Sequence, residues 1–252
     1  MATSLQKLLI EANALMEPQA FQDYCPNGLQ VEGRAEVRRL VSGVTASQAL
    51  IDAAVDSGAD AILVHHGFFW RGEDPCLRGM KRRRLASLLA NDISLIAYHL
   101  PLDAHPTLGN NAQLAERLGI VVEGGLDDSV RPVGNVGRLP APMSAVEFAA
   151  HVARELGREP LLEEVGGGMI SRIAWCTGAA QSYIDRAAAL GVDAYLSGEV
   201  SEPTIHSARE QGVHYIAAGH HATERYGVQA LASVLAETLG VEHRFIDIDN
   251  PA

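Results

Sequence analysis

Apolar positions along this chain follow two alternating periods. The runs "RRLVSGVT", "DAILVHH" and "DISLIAYH" are short, β-rich and continuously apolar, and they read as buried strands. Between them, "SQALIDAAVDSG" and "NNAQLAERLG" carry the helical spacing, each closed by a glycine suited to the position after the last turn. Strand and helix in alternation predict an α/β fold in three layers, with mainly parallel sheets.

The pattern then repeats. "QALIDAAVDSGADAIL" (48–63) aligns with "QSYIDRAAALGVDAYL" (181–196) at a shift of 184 − 51 = 133, with 8 of 16 positions identical. "LAERLG" (114–119) matches "LAETLG" (235–240) at 235 − 114 = 121, so the second copy is shorter by 133 − 121 = 12 residues. Two ungapped blocks in the same order point to internal duplication and two similar lobes. The intervening segment 124–168 reads as turns and connections around one helix, "SAVEFAAHVARELG". It places the lobe boundary within 122–135, which divides the chain into 1–125 with 215–252, carrying most of the candidate ligands, and 126–214.

Composition narrows the class. With 47% apolar and 20% charged residues, the chain has the make-up of an ordinary globular protein. The opening "MATSLQKLLIEANALMEP" reads as an amphipathic helix without the features of a secretion signal, and no stretch approaches a membrane span. Cys25, Cys76 and Cys176 are far apart in sequence and form no CxxC pair, which fits a reducing cytoplasm better than a disulfide framework. A net charge of −11 disfavours broad binding to nucleic acid. The one basic cluster, "KRRRLASLL", reads as the solvated start of a helix.

The candidate chemistry lies at strand ends, where α/β sheets gather their ligands. His65 and His66 follow "AILV". Under the shift of 121, His99 falls on His220 and Asp103 on Glu224, giving each copy a His-x-x-x-carboxylate motif. Neighbouring side chains on a regular strand diverge, so His65 and His66 would each serve a different ion of a closely spaced pair. Imidazole and carboxylate without thiolate suit Zn, Mn, Fe, Co or Ni, and several histidines disfavour Mg. The second copy has Gly198–Glu199 where the first has His65–His66, so one site per chain is expected. His99 is either a ligand or a partner that orients one. His99, His105 and His221 are candidate proton shuttles, Glu199 and His206 candidate outer partners, and Phe68, Phe69 and Trp70 a candidate stacking wall. His151, His214 and His243 read as ordinary core or surface residues.

"VHHGFFW", "YHLPLDAHPTLGNNAQLAERLG", "SGEVSEPTIHSAREQG" and "GHHATERYGVQAL", with "DYCPNGLQVEG" before them, resemble the Nif-three-like family. Its bacterial members are named GTP cyclohydrolase 1 type 2 homologues. The resemblance spans essentially the whole chain and matches the short form of the family. It implies a dinuclear metal centre on His65, His66, Asp103, His220 and Glu224, with His99 outside it. It also implies interleaved α/β lobes and a toroidal homohexamer built from dimers. The chemistry expected of such a centre is metal-dependent hydrolysis of an unknown small molecule. A non-catalytic metal-binding scaffold or delivery oligomer is the alternative, and a di-iron oxidase a further one. The chain has no phosphate-binding GxxxxGK[ST] motif.

Overall fold

The structure, a computed structural model, describes residues 1–252. It divides into two compact units. The first comprises Met1–Leu102 and Gly227–Ile248, and the second comprises Asp103–Tyr226 and Asp249–Ala252.

The first unit is built on a five-stranded sheet in the order Glu242–Phe245, Arg39–Thr45, Ala61–His66, Ser94–Ala97, Gly28–Val31. Its first three pairings are parallel and the last is antiparallel. The central strands are buried almost throughout, which explains their unbroken apolar runs. Leu50, Ile51 and Ala54 of the helix Gln48–Asp56 share a core with Leu85 and Leu88 of Gly79–Ala90 and with Val41, Ile62 and Leu95 of the sheet. Arg82 and Arg83 stay exposed, as expected for the solvated side of that second helix.

In the second unit a six-stranded sheet runs Val121–Gly125, Asn135–Ser144, Met169–Cys176, Ala194–Ser197, His214–Ala217, Leu161–Glu163. Only its two central pairings are parallel, and the flanking three are antiparallel. The antiparallel additions come from the stretch expected to be mostly connections. Pro140 and Pro142 hide the strand Asn135–Ser144 from sequence reading, because proline cannot donate to a ladder. They are tolerated here because the pairing with Met169–Cys176 shifts register between Ile170 and Arg172. The helix in that stretch forms as expected over Ala145–Leu156, with a Ser144/Glu147 capping box.

The observed division differs from the expected one. Val121–Gly125 pairs with Asn135–Ser144, and His214–Ala217 with Ala194–Ser197, so both strands belong to the second unit. A strand goes with its ladder, and neither pairing could be read from hydrophobic spacing.

The duplication is written into the hydrogen bonds. Asp60 Oδ2 accepts from the main-chain N–H of Arg38 (2.8 Å) and Arg39 (3.0 Å). Asp193 Oδ2 accepts from Ser171 and Arg172 (both 2.8 Å), the positions 133 residues on. Arg39 donates to Ser57 O, and Arg172 to Leu190 O, again 133 residues apart. Each carboxylate ties the entry of one parallel strand to the entry of the next, which sets the level at which both strands end.

Candidate metal centre

Each unit carries its own set of donor side chains. In the first, Ala61–His66 ends in the two histidines. His65 is fully buried and its Nδ1 lies 2.9 Å from Tyr98 O. A carbonyl only accepts, so the imidazole proton sits on Nδ1 and Nε2 presents its lone pair. His66 Nδ1 is 3.2 Å from Thr45 Oγ1. The two rings do not diverge as they would in mid-strand, for their centroids are 4.4 Å apart. The turn that allows this is crowded. A β-carbon on Gly67 would meet Gln30 and Ala97, and Gln30 Oε1 accepts the Phe68 N–H at 2.7 Å.

His99 joins them, its ring centroid 5.1 Å from that of His65 and 5.7 Å from that of His66. Donor atoms of the three lie within 4.8 Å of one another, close enough to hold a metal ion. Its Nδ1 is 2.7 Å from Asp23 Oδ1. That carboxylate also accepts from the N–H of Tyr24 and Leu100 and from Asn27 Nδ2. Burial works to raise the Asp23 pKa, but the bonds from His99, Asn27 and Tyr24 outweigh it and hold it at about 2. Asp23 is therefore an anion and His99 donates to it through Nδ1, as histidines that ligate metals do to their outer carboxylates. Cys25 lies beside this pair, but burial and the charge of Asp23 push its thiol up to about 12, so it stays protonated.

In the second unit the donors are carboxylate-rich. Asp103 is buried, and its Oδ1 accepts from Asn110 Nδ2 at 2.9 Å and Thr177 Oγ1 at 3.4 Å. Asn111 supports it from behind, donating to Asp103 O and accepting the Thr177 N–H. Glu224, 3% exposed, lies in the first turns of the helix His220–Leu239, one turn after His220. His220 Nε2 is 3.2 Å from Glu224 Oε2, and its Nδ1 is 2.7 Å from Glu199 Oε1. Burial lowers the His220 pKa, but the two carboxylates more than offset this and raise it to about 9. A ring flanked by two carboxylates holds a proton where a cation would find the same partners.

The backbone is shaped around this cluster. Gly178 has φ 68°, and a β-carbon there would come closer to Glu224 Oε1 than the 3.0 Å that real β-carbons keep. The same β-carbon would stand 3.2 Å from His220 Nε2. Only glycine lets the loop pass so near, and it does so in the left-handed conformation that glycine adopts without strain.

The structure brings His65, His66 and His99 together in one unit, and His220 and Glu224 in the other. Asp103 and Glu224 both bear on the buried Cys176 thiol, whose pKa is raised first by burial and then by their charges. Glu199, at the repeat position of His66, orients His220 as expected. His206 does not take part, since it is exposed and pairs with Glu202 one turn earlier on its own helix. His105 Nδ1 accepts the N–H of Leu108 at 3.0 Å, a turn-closing role. His221 is buried, and its main-chain N–H donates to Ala252 O. Of the aromatic run, Phe68 is core and Phe69 sits at φ 64° under Lys81. Trp70 alone faces the histidines, 4.9 Å from His99 and 6.0 Å from His66 between centroids. Sequence reading gave no role to Asp23, Asn110 or Asn111. "DYCPNG" looks like an ordinary turn and "NN" like an ordinary helix start, so only the fold reveals what they hold.

Imidazole and carboxylate side chains clustered beyond strand ends of an α/β fold define a class of protein whose donor groups could hold metal ions. The family follows from comparison with known proteins. The profile of Duf34/NIF3 (NGG1p interacting factor 3) matches residues 3–251, and the chain belongs to that family. It is 62% identical over 253 residues to a GTP cyclohydrolase 1 type 2 homolog of Pseudomonas aeruginosa, with 100% of both chains covered. A protein of the same name from Escherichia coli K12 is 56% identical over 251 residues, with 99% of each chain covered. Among solved structures, the structural-genomics protein ybgI, of unknown function, superposes with a TM-score of 0.96 at 55% identity, covering 99% of this chain and all of that one. TTHA1606 from Thermus thermophilus does so at 0.90 and 33% identity, with 99% and 100% covered.

Proposed function

We propose that the two donor sets act together as one dinuclear metal centre, on His65, His66, Asp103, His220 and Glu224, and that the protein is a metal-dependent hydrolase of a small molecule. The observation that carries this reading is the state of the imidazoles. His65 gives its Nδ1 proton to Tyr98 O, which makes Nε2 its ligand atom, while His220 is held through Nδ1 by Glu199 and through Nε2 by Glu224, where a cation would take the place of its Nε2 proton. The donor chemistry fits Zn, Mn, Fe, Co or Ni better than Mg. Such ions, when bound, polarise a carbonyl or phosphoryl oxygen and acidify water. The chain's own residues would do the rest. Asp23 orients His99 for proton transfer, His221 is the second candidate for that task, and Trp70 supplies a flat apolar wall beside His66 and His99. The relatives' name suggests a purine nucleotide as one substrate to try. The absence of a phosphate-binding loop motif leaves cyclic amides and phosphoesters as equal candidates.

The first test is metal content per chain in protein purified without chelator, beside Glu224→Ala. About two transition-metal ions per chain, falling in the variant, support the centre. Little metal, and none taken up when Zn, Mn or Fe is added, would remove both the centre and the hydrolase. A hydrolysis screen then separates enzyme from scaffold, since a scaffold shows no turnover that depends on Glu224. Oxygen uptake by the iron form would favour the oxidase instead. We also place the protein in the cytoplasm as a ring-shaped homohexamer, a trimer of dimers. No helix is long and apolar enough to cross a membrane. Light scattering on the purified chain would check the assembly, and a dimer or monomer mass would refute it.

A further inference from the structure

Two aromatic side chains of the first unit stand beside His99 without serving as core. Trp70 is half-buried, and Tyr24 is 58% exposed. Their ring centroids lie 4.9 Å and 6.4 Å from that of His99, at interplanar angles of 85° and 65°, so neither is stacked flat on the imidazole. Single exposed aromatics are common on protein surfaces, and exposure alone would carry nothing.

What distinguishes this pair is how firmly its backbone is held. Tyr24 N–H donates to Asp23 Oδ1 at 2.6 Å, and Tyr24 O accepts the main-chain N–H of Arg71 at 2.7 Å. Arg71 Nη2 donates as well to Asp23 O at 2.9 Å. The residue after Trp70 is thereby tied to two successive carbonyls of the turn that carries Tyr24. The same turn supplies the Asp23 carboxylate that orients His99. Glu73 N–H closes the loop on Trp70 O at 3.1 Å. Just before Trp70, Phe69 sits at φ 64°, a region that bulky residues seldom occupy. This strained residue redirects the chain from the buried Phe68 to a tryptophan at the histidines. The Arg71 guanidinium lies 6.0 Å from the Tyr24 ring centroid, at the outer limit of a cation–π contact, and leaves that ring largely open to water.

Aromatic rings fixed by their backbone, open to solvent and next to an oriented imidazole make a stacking platform. Stacking recognises a flat π-system through its face, whatever its hydrogen-bonding edge. A puckered ring of the same skeleton buries as much apolar area but loses the close face-to-face contact.

We propose that Tyr24, with Trp70 as a second contact, selects the substrate: the molecule brought to His99 carries a flat, unsaturated ring that stacks on Tyr24. Calling that molecule a substrate rests on the hydrolase reading. Purines, planar cyclic amides and esters of aromatic alcohols remain as candidates, whereas saturated lactams and alkyl phosphoesters drop out.

The probes are naphthamide and the corresponding decalin carboxamide, which share skeleton and amide and differ in flatness. They are titrated by NMR into chelator-treated full-length protein. Naphthamide is expected to saturate one site per chain and to bind about tenfold more tightly than the decalin amide. Tyr24→Leu keeps both main-chain bonds of the turn and should melt with the parent, yet bind naphthamide about fivefold more weakly or worse. Tyr24→Phe should bind as the parent does. Equal affinity for the two amides, no saturable binding at millimolar concentration, parental affinity in folded Tyr24→Leu, or an equal loss in Tyr24→Phe would each overturn the assignment. Metal per chain in Tyr24→Leu purified without chelator should match the parent, and a fall would make Tyr24 a support of the donor cluster instead of a recognition residue. Absence of metal from both proteins would sink the hydrolase alone, because naphthamide binding is read without metal.

Discussion

Gly178→Ala isolates the geometry on which the proposed centre depends. The substitution has two costs that can be separated. One is conformational: at φ 68° an alanine is held in the left-handed region, worth roughly 1–2 kcal/mol. The other is a collision, because the new methyl group would fall inside contact distance of Glu224 Oε1 and stand 3.2 Å from His220 Nε2. Glu224 is buried and His220 is held by Glu199, so neither can step aside without leaving its place. Metal sites tolerate displacements of only about 0.2 Å in ligand distance, and a clash of this kind asks for several times that. The control is Gly191→Ala. Its φ is 67°, and a β-carbon there meets nothing within 4 Å. In urea unfolding of the metal-free protein Gly191→Ala should lose about 1–2 kcal/mol, and Gly178→Ala that much plus the cost of the collision. Only Gly178→Ala should also lose metal, measured as ions per chain and as affinity in competition with a chromophoric chelator, with at least a hundredfold drop. If Gly178→Ala binds metal as the parent does, Glu224 and His220 are not ligands. If Gly191→Ala loses as much metal, the effect is backbone strain and the contact argument fails.

Three further outcomes are expected. Glu199→Ala removes the carboxylate that fixes the His220 tautomer and should weaken metal binding about 10–100-fold with little change in fold, so unaltered affinity would exclude an orienting role. Asp60→Ala strands two main-chain N–H groups and takes one partner from Arg34, which keeps Asn91 O and Asp92 O, and should cost about 3 kcal/mol in chemical unfolding; a loss under about 1 kcal/mol would mean water replaces the carboxylate. His243 is half-buried, its Nε2 2.8 Å from Ser42 Oγ, and desolvation lowers its pKa below 6.5. The unfolded chain therefore takes up the proton first, so stability is retained above pH 6.5 and declines as pH falls toward the lowered folded value. His243→Gln should flatten that part of the stability–pH curve, and an identical slope in the variant would assign the decline to other groups.

How far the sequence could be read depended on whether the information was periodic or positional. Parallel central strands such as Arg39–Thr45 and Ala61–His66 were legible because burial on both faces leaves an unbroken apolar run. The duplication was legible because the Asp60 and Asp193 carboxylates do the same work in each copy. Both hydrogen-bond to paired main-chain N–H groups, so the residues around them are constrained alike. The strands Val121–Gly125 and Asn135–Ser144 were not legible, since exposed edges and prolines erase the alternation that would mark them. The same division holds at the site. Donor types at strand ends can be named from their spacing, but the groups that make them donors cannot. Tyr98 acts through its carbonyl, Gly178 through a missing side chain, and Asp23 from 76 residues away. These contributions are made by backbone and by distant chain, which leave no pattern in residue type. For that reason the substitutions that discriminate best among functional readings are Gly178→Ala and Glu199→Ala, which test whether the fold prepares the donors. Removing a histidine tests only whether the donor is there.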